Sequence, residues 1–316
     1  MNTQVLMYHA NSETLARWQQ ALRLALPGGI ELVDKPGPEV RYLIAWSPPA
    51  ELFTQLPGLQ VCFSAGAGVD HLLANPDLPS RLAIYRLEDA GMGDQMARYC
   101  RHEVERVLLR KPTYEAQQRE RAWIEHSPLE PKDLSIGLLG FGVLGKAIAQ
   151  TLAKEGYPVV AYRRQTDAPS MAIIGGQRIE VFAGETNWQS FLERCQVLIL
   201  VAPLTPQTRH IIDAQAMATL PAGASIINVG RGALIDADAL LASLNNGHIA
   251  NASLDVFATE PLPADHALWG APGLRLTPHV SAVTMVEPAV KQISDSIAAL
   301  ESGQAATGAV SRSSGY

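Results

Sequence analysis

Gly140, Gly142 and Gly145 stand in GxGxxG spacing inside LSIGLLGFGVLGKAIAQ, residues 134–150. The apolar run 136–139 before them suits a buried parallel strand, and residues 146–154 after them suit a helix. In such a turn the first glycine permits a tight bend, the second lets backbone approach a pyrophosphate, and the third lets the helix pack on the strand. The helix N-terminus adds unpaired N–H groups and partial positive charge. Glycine-rich strand exits also arise from packing alone, so the flanking strand and helix carry the dinucleotide reading. Phe141, Val143 and Leu144 complete the cradle.

A carboxylate about 20 residues past the glycines would accept from a ribose 2′-hydroxyl. This chain has Arg163 and Arg164 there, after an apolar run at 159–162. Guanidinium groups bind a 2′-phosphate where a carboxylate would repel it. The spacing therefore points to NADP(H), with NAD(H) as the alternative and two solvated arginines as the purely structural one.

Three later segments bring charge to strand exits: Asn228-Val229-Gly230-Arg231-Gly232, Asp255-Val256-Phe257-Ala258-Thr259-Glu260-Pro261 and Thr277-Pro278-His279-Val280-Ser281. Taken singly, Arg231 is explained as a surface cation, Glu260 as a helix-start carboxylate, and His279 as one of eight histidines. Together they supply an anion binder, a carboxylate and an imidazole at the strand edge where this fold binds ligands.

The elements that must hold these residues alternate along the chain. Apolar runs at 5–8, 42–46, 59–63 and 82–87 read as strands, with helical spacing at Leu15, Trp18, Leu22 and Ala25. Strands at 136–139, 159–162, 197–201, 225–229, 252–256 and 275–277 give six, the first leading into the fingerprint turn. The expected fold is α/β, with two Rossmann-like doubly wound parallel-sheet domains. The cofactor domain, 101–285, is expected to be inserted into a discontinuous substrate domain, 1–100 and 286–316, with ligands in the cleft between them. Asp94 is expected to cap a long helix with a stripe of Ala97, Cys100, Val104, Val107 and Leu108. An arm near 112–132 reads as a connector and dimer contact.

With 316 residues and 47% hydrophobic content the chain can build two cores. A net charge of −6 without a basic stripe argues against nucleic acid. The cluster Arg98, Arg101, Arg106, Arg110 and Lys111 reads as one solvated helix face. Three cysteines without CxxC spacing indicate neither a disulfide framework nor a metal site. The residues at the start lack a basic and apolar leader pattern, and no window reaches membrane-span length, so the expectation is a cytoplasmic protein.

The order GFGVLG, VAPLTPQT, NVGRG, LDVFATEPLP and TPHVSA, together with SAGAGVDH at 64–71, resembles the D-isomer-specific 2-hydroxyacid dehydrogenase family over nearly the whole chain. Ala45-Trp46-Ser47, AGMGDQMA, Tyr162-Arg163-Arg164 and the terminal SRSSGY are most similar to its A-type glyoxylate/hydroxypyruvate reductases. The resemblance implies a two-domain, usually dimeric enzyme with a flavodoxin-like substrate domain, acting on a small 2-oxoacid. It implies Arg231 as the grip on the substrate carboxylate, His279 as acid–base group and Glu260 as its partner. It places Asp255 on the nicotinamide carboxamide, and Pro203, Leu204 and Thr208 in the loop flanking the cofactor. Val229, Gly230 and Ser281 belong to the same cofactor wall. It also implies that the backbone of Ala67 and Gly68 meets the substrate carboxylate. The residues themselves leave that turn open as a plain glycine-rich bend. Trp46 and Met92 are candidate limits on pocket size, with core packing as the alternative.

Hydride delivery to a carbonyl carbon develops alkoxide charge, so such a site needs a proton donor and a fixed cation. A carboxylate beside an imidazole favours the imidazolium and keeps that proton available. The turn before the long helix, Asp89-Ala90-Gly91-Met92-Gly93, departs from the commoner family pattern containing PG and leaves pocket shape open. A bulkier 2-oxoacid, or a nucleotide sensor without turnover, are the competing readings.

Overall fold

The computed structural model describes residues 3–164 and 170–316, and the chain divides into two compact units, Met1–Met92 with Thr284–Tyr316, and Gly93–Val283. The first unit opens with β1 (Thr3–Tyr8), α1 (Ser12–Ala25), β2 (Ile30–Val33), β3 (Val40–Ala45), α2 (Glu51–Thr54), β4 (Val61–Ser64), α3 (Asp70–Leu73) and β5 (Ala83–Tyr85). Asn11 starts α1 by accepting from the Thr14 N–H at 2.8 Å, satisfying an otherwise unpaired helix donor. Trp18 and Leu22, four apart, turn inward. All strand pairs in this sheet are parallel, in the order β2-β1-β3-β4-β5. That is the flavodoxin-like order.

The second unit holds nearly all of α4 (Met92–Leu108), then α5 (Lys111–Glu120), β6 (Ile136–Leu139), α6 (Val143–Lys154), β7 (Val159–Arg163), β8 (Ser170–Ile174), β9 (Gln177–Ala183) and α7 (Trp188–Leu192). It continues through β10 (Val197–Leu200), α8 (Ala214–Thr219), β11 (Ala224–Asn228), α9 (Ala237–Asn245), β12 (Ile249–Leu254) and β13 (Leu274–Leu276). The sheet order is β13-β12-β11-β10-β6-β7-β9-β8. Its centre is the doubly wound order in which the chain reverses direction between β6 and β10, the crevice where dinucleotides bind in this fold. Strands buried on both faces explain the continuous apolar runs. Ile136, Leu138 and Ile199 face one core with Ile148 and Leu152 of α6, while Leu139, Leu198 and Leu200 face the other with Phe191 and Leu240.

Three sequence expectations change here. The sheet is parallel except for β8, which pairs antiparallel with β9 through the Gly175-Gly176 turn, so eight strands form where six were expected. The division between units falls at 92/93 and 283/284 rather than 100/101 and 285/286. Ala97, Cys100 and Val104 of α4 are buried in the core of the second unit, which draws the whole helix into it. Fully burying a side chain such as Val104 contributes about 1.5–3 kcal/mol. Asp94 lies in the first turn of α4 rather than before it.

The chain returns to the first unit as α10 (Val286–Glu301), which packs along α1 and buries Ala289, Val290, Ile293 and Ile297. Tyr42 Oη donates to Glu301 Oε1 at 2.6 Å near its end. The tail then covers the β5 edge: Arg86 N–H donates to Gly308 O and Val310 N–H to Ile84 O, each at 2.9 Å. Among the described residues no helix is long and apolar enough to cross a membrane.

Candidate active site

In the second unit, register puts six strand ends in one row. Tyr162 pairs with Leu139, Leu139 with Leu200, Leu200 with Asn228, Asn228 with Leu254 and Leu254 with Leu276. Every segment singled out in this unit leaves that row: Arg163-Arg164, the glycine turn, the 203–208 loop, Arg231, Asp255 to Glu260, and His279. With neighbouring strands about 4.8 Å apart, the row extends roughly 24 Å.

The glycine turn divides by what each glycine touches. Gly140 has φ +108, and a Cβ there would sit 2.8 Å from the Ala202 nitrogen. Only glycine fits that backbone. At Gly145 a Cβ would press into the Gly140 carbonyl oxygen, so the third glycine lets α6 close on β6. Gly142 differs, because a Cβ there meets no atom within 4 Å among the described residues. The first and third glycines serve the fold, and the second faces open space at a helix N-terminus. Phe141 and Leu144 are half-buried, and Val143 is 41% exposed.

Arg163 ends β7, half-buried. Arg164 Nη1 donates to Thr205 Oγ1 at 3.2 Å and Gln207 Oε1 at 3.3 Å, bringing its guanidinium to the loop after β10. That loop is tied by Thr208, whose Oγ1 donates to Pro203 O at 2.8 Å and accepts from Thr205 N–H at 2.7 Å. Thr208 is buried and shapes the loop from inside, while Pro203 is exposed and Leu204 packs on the core.

His279 Nδ1 lies 2.8 Å from Glu260 Oε2, with the two side chains 38% and 35% exposed. Glu260 is aimed by its other oxygen, which accepts from Phe257 N–H at 2.9 Å. With Nδ1 so engaged, Nε2 is the imidazole atom left to address a ligand. His279 itself has φ +56, a left-handed conformation that costs a residue with a Cβ about 1–3 kcal/mol. The offset comes from Asp255: its carbonyl accepts from His279 N–H at 2.8 Å, and its carboxylate accepts from Val280 N–H at 2.9 Å, Ser281 N–H at 2.8 Å and Thr277 Oγ1 at 2.6 Å.

Asp255 is 0% exposed. Its carboxylate is engaged by Thr277, Val280 and Ser281, so Asp255 scaffolds the His279 segment. Val229, Gly230 and Ser281 are likewise buried, so any wall they form is made beneath the surface or by backbone. Thr277 and Tyr99 were not singled out for chemistry, yet Tyr99 Oη lies 2.7 Å from Thr277 Oγ1. Burial, foremost, pushes the Tyr99 phenol up to about 12.

Arg231 follows β11, half-buried, with Nη1 donating to Gly230 O at 2.8 Å. Its loop is braced by Asn228, which accepts from Gly230 N–H and donates to Arg231 O. Gly232 then lies so close to the Phe257 and Ala258 backbone that a Cβ would overlap it. The loops bearing Arg231 and Glu260 thus touch through a glycine.

Within the first unit, Ala67 and Gly68 sit half-buried after β4, in a turn held by Ser64 Oγ donating to Gly68 O at 2.8 Å. Trp46 lies against Gly66 and packs on His71 in a tilted arrangement, with ring centroids 4.3 Å apart. Met92 is buried, its sulfur 3.8 Å from Thr284 Oγ1, which fits the core reading of that residue. A cavity of about 630 Å³ beside Glu103, Arg106, Glu115 and Arg275 contains none of the candidate residues. Its lining lies back along β12 and β13 from the row of strand ends. Among the described residues no group of three or more His, Cys, Asp and Glu is placed to hold a metal ion.

Residues 106–281 match the NAD binding domain of the D-isomer specific 2-hydroxyacid dehydrogenases. A D-isomer specific 2-hydroxyacid dehydrogenase from Xanthobacter autotrophicus Py2, solved with NADPH and MES, is 35% identical with a TM-score of 0.90, and all of both chains is covered. An NADPH-dependent glyoxylate/hydroxypyruvate reductase from Sinorhizobium meliloti, solved with NADP and sulfate, is 30% identical with a TM-score of 0.88, covering 99% of this chain and 100% of that one. A probable 2-hydroxyacid dehydrogenase from Rhizobium etli CFN 42, solved with NADP, HEPES and L(+)-tartaric acid, is 26% identical with a TM-score of 0.85, covering 99% of each chain. With its nucleotide-binding turn, its aligned strand ends and its imidazole–carboxylate pair, the chain belongs to the D-isomer specific 2-hydroxyacid dehydrogenases.

Proposed function

We propose that this protein reduces small 2-oxoacids with NADPH, converting glyoxylate to glycolate and hydroxypyruvate to D-glycerate. The observation that carries the reading is the His279–Glu260 pair, 2.8 Å apart and half open to ligand, beside the loop that bears Arg231. The open side of Gly142 fits a pyrophosphate, and Arg163 and Arg164 suit a 2′-phosphate better than a ribose hydroxyl. NADPH, when bound, supplies the hydride.

The chain's own residues do the rest. Arg231 grips the substrate carboxylate and polarises the 2-oxo oxygen. Imidazolium at His279 donates its Nε2 proton to that oxygen as alkoxide charge develops. Glu260 holds the ring through Nδ1. The backbone of Ala67 and Gly68 is assigned to the substrate carboxylate by the family resemblance, and Trp46 is the candidate limit on pocket size. A homodimer through the arm near 112–132 belongs to the same reading. Helix α5 buries none of its residues, and Trp123 is 100% exposed.

Loss of NADPH absorbance with a panel of 2-oxoacids tests the proposal. Glyoxylate and hydroxypyruvate should give the highest kcat/KM, with NADPH favoured over NADH. Faster turnover of bulkier 2-oxoacids would move the substrate, and a tenfold or greater NADH preference would remove the role of the two arginines. Absence of turnover with every member would overturn the enzyme reading in favour of a sensor.

A further inference from the structure

Residues 277–283 carry His279 away from β13 without regular secondary structure until α10 begins. One helix grips both ends of that segment. Gln95 of α4 donates through Nε2 to Val283 O at 2.9 Å and accepts through Oε1 from Val283 N–H at 3.3 Å. Tyr99 meets Thr277 Oγ1 at 2.7 Å. Residues four apart on a helix share a face, so the two contacts come from one side of α4.

The direction of the Tyr99 bond follows from its neighbour. Thr277 gives its single hydroxyl proton to Asp255 Oδ1 at 2.6 Å, because a carboxylate only accepts. Tyr99 must therefore donate. The result is a directed chain from Tyr99 through Thr277 to Asp255, whose other bonds hold Val280 and Ser281. Asp255 fixes the middle of the segment, and α4 fixes its ends.

We propose that Gln95 and Tyr99 are positioning residues for His279, acting as a two-point clamp on residues 277–283. Helix α4 has other anchors: Cys100 and Val104 are fully buried, and Glu103 Oε2 accepts from Ser253 Oγ at 2.6 Å. The two polar contacts are surplus to holding the helix, and their effect falls on the segment. That segment needs holding, because His279 sits in a left-handed backbone conformation. A misplacement near 1 Å costs on the order of 10²-fold in rate. The clamp rests on the assignment of His279 as proton donor.

The test uses the full-length enzyme, the fastest 2-oxoacid of the panel, and the variants Tyr99→Phe, Gln95→Ala, the double variant and His279→Ala. Each clamp variant should lower kcat roughly tenfold, a partial misplacement on the scale above. Kd for NADPH and the melting temperature should stay near wild type. Because both contacts hold one segment, the double variant should lose less than the product of the two. Should Tyr99→Phe fold poorly, Gln95→Ala decides alone. A double variant within twofold of wild-type kcat, or one that loses only melting temperature, overturns the clamp if His279→Ala is inactive. An active His279→Ala would instead remove the assignment on which the clamp rests.

Discussion

The glycine turn at 140–145 and the His279 segment at 277–283 solve one problem, an irregular backbone at a strand end, by opposite means. Gly140 and Gly145 are fixed by contact of main chain on main chain. His279 keeps a side chain in a left-handed conformation, and side-chain hydrogen bonds from residues distant in sequence hold it there. Where backbone packing sets the geometry, glycine is required and the sequence shows it. Where a residue with a full side chain occupies the bend, the support comes from elsewhere and leaves no local mark.

Two substitutions in the turn separate fold from ligand. Gly140→Ala places a Cβ against the Ala202 backbone at positive φ, and should lower stability by roughly 3 kcal/mol or more. Gly142→Ala meets open space and should leave stability unchanged or raised by up to about 1 kcal/mol. It should nevertheless weaken NADPH binding about tenfold, one charge-assisted hydrogen bond. Thermal unfolding alongside NADPH titration reads both. Equal loss of stability in the two variants would break the distinction.

The smallest effect is expected away from both regions, at Arg106 and Glu115. Arg106 bonds both Glu115 oxygens, at 2.9 and 3.0 Å, and those bonds hold the Glu115 carboxyl below its usual range. A carboxyl lowered by folding stabilises above its unfolded value, and the gain fades as pH falls through its folded value. Glu115 is half exposed, so Glu115→Gln should change urea stability by no more than about 1 kcal/mol near neutral pH. The difference should vanish on acidification below the ordinary glutamate range, with activity unaffected. A difference persisting in acid would contradict this pairing.

The fingerprint strand, its glycines and the three charged segments were legible because each combines an apolar run with a local break. Register supplied what sequence lacked, the alignment of Asn228, Leu254 and Leu276. Strand β2 was missed because none of its four residues is fully buried and Glu31 is exposed. Strand β8, and with it the hairpin to β9, escaped although Gly175-Gly176 marks the turn, since Met171 and Ile173 are exposed apolar side chains. Arg106 read as a solvated cation, yet Glu103 and Glu115 enclose it. The burial of Asp255 and its link through Thr277 to Tyr99 were invisible for a shared reason. Hydrogen bonds spanning more than twenty residues have no periodicity to detect.

The central claim is that His279, paired with Glu260, protonates the substrate oxygen. Steady-state kinetics of His279→Ala, with NADPH affinity measured separately, tests it most directly. The expected result is a fall in kcat of roughly 10² to 10⁴-fold at unchanged NADPH Kd. A variant that keeps near wild-type kcat would contradict it.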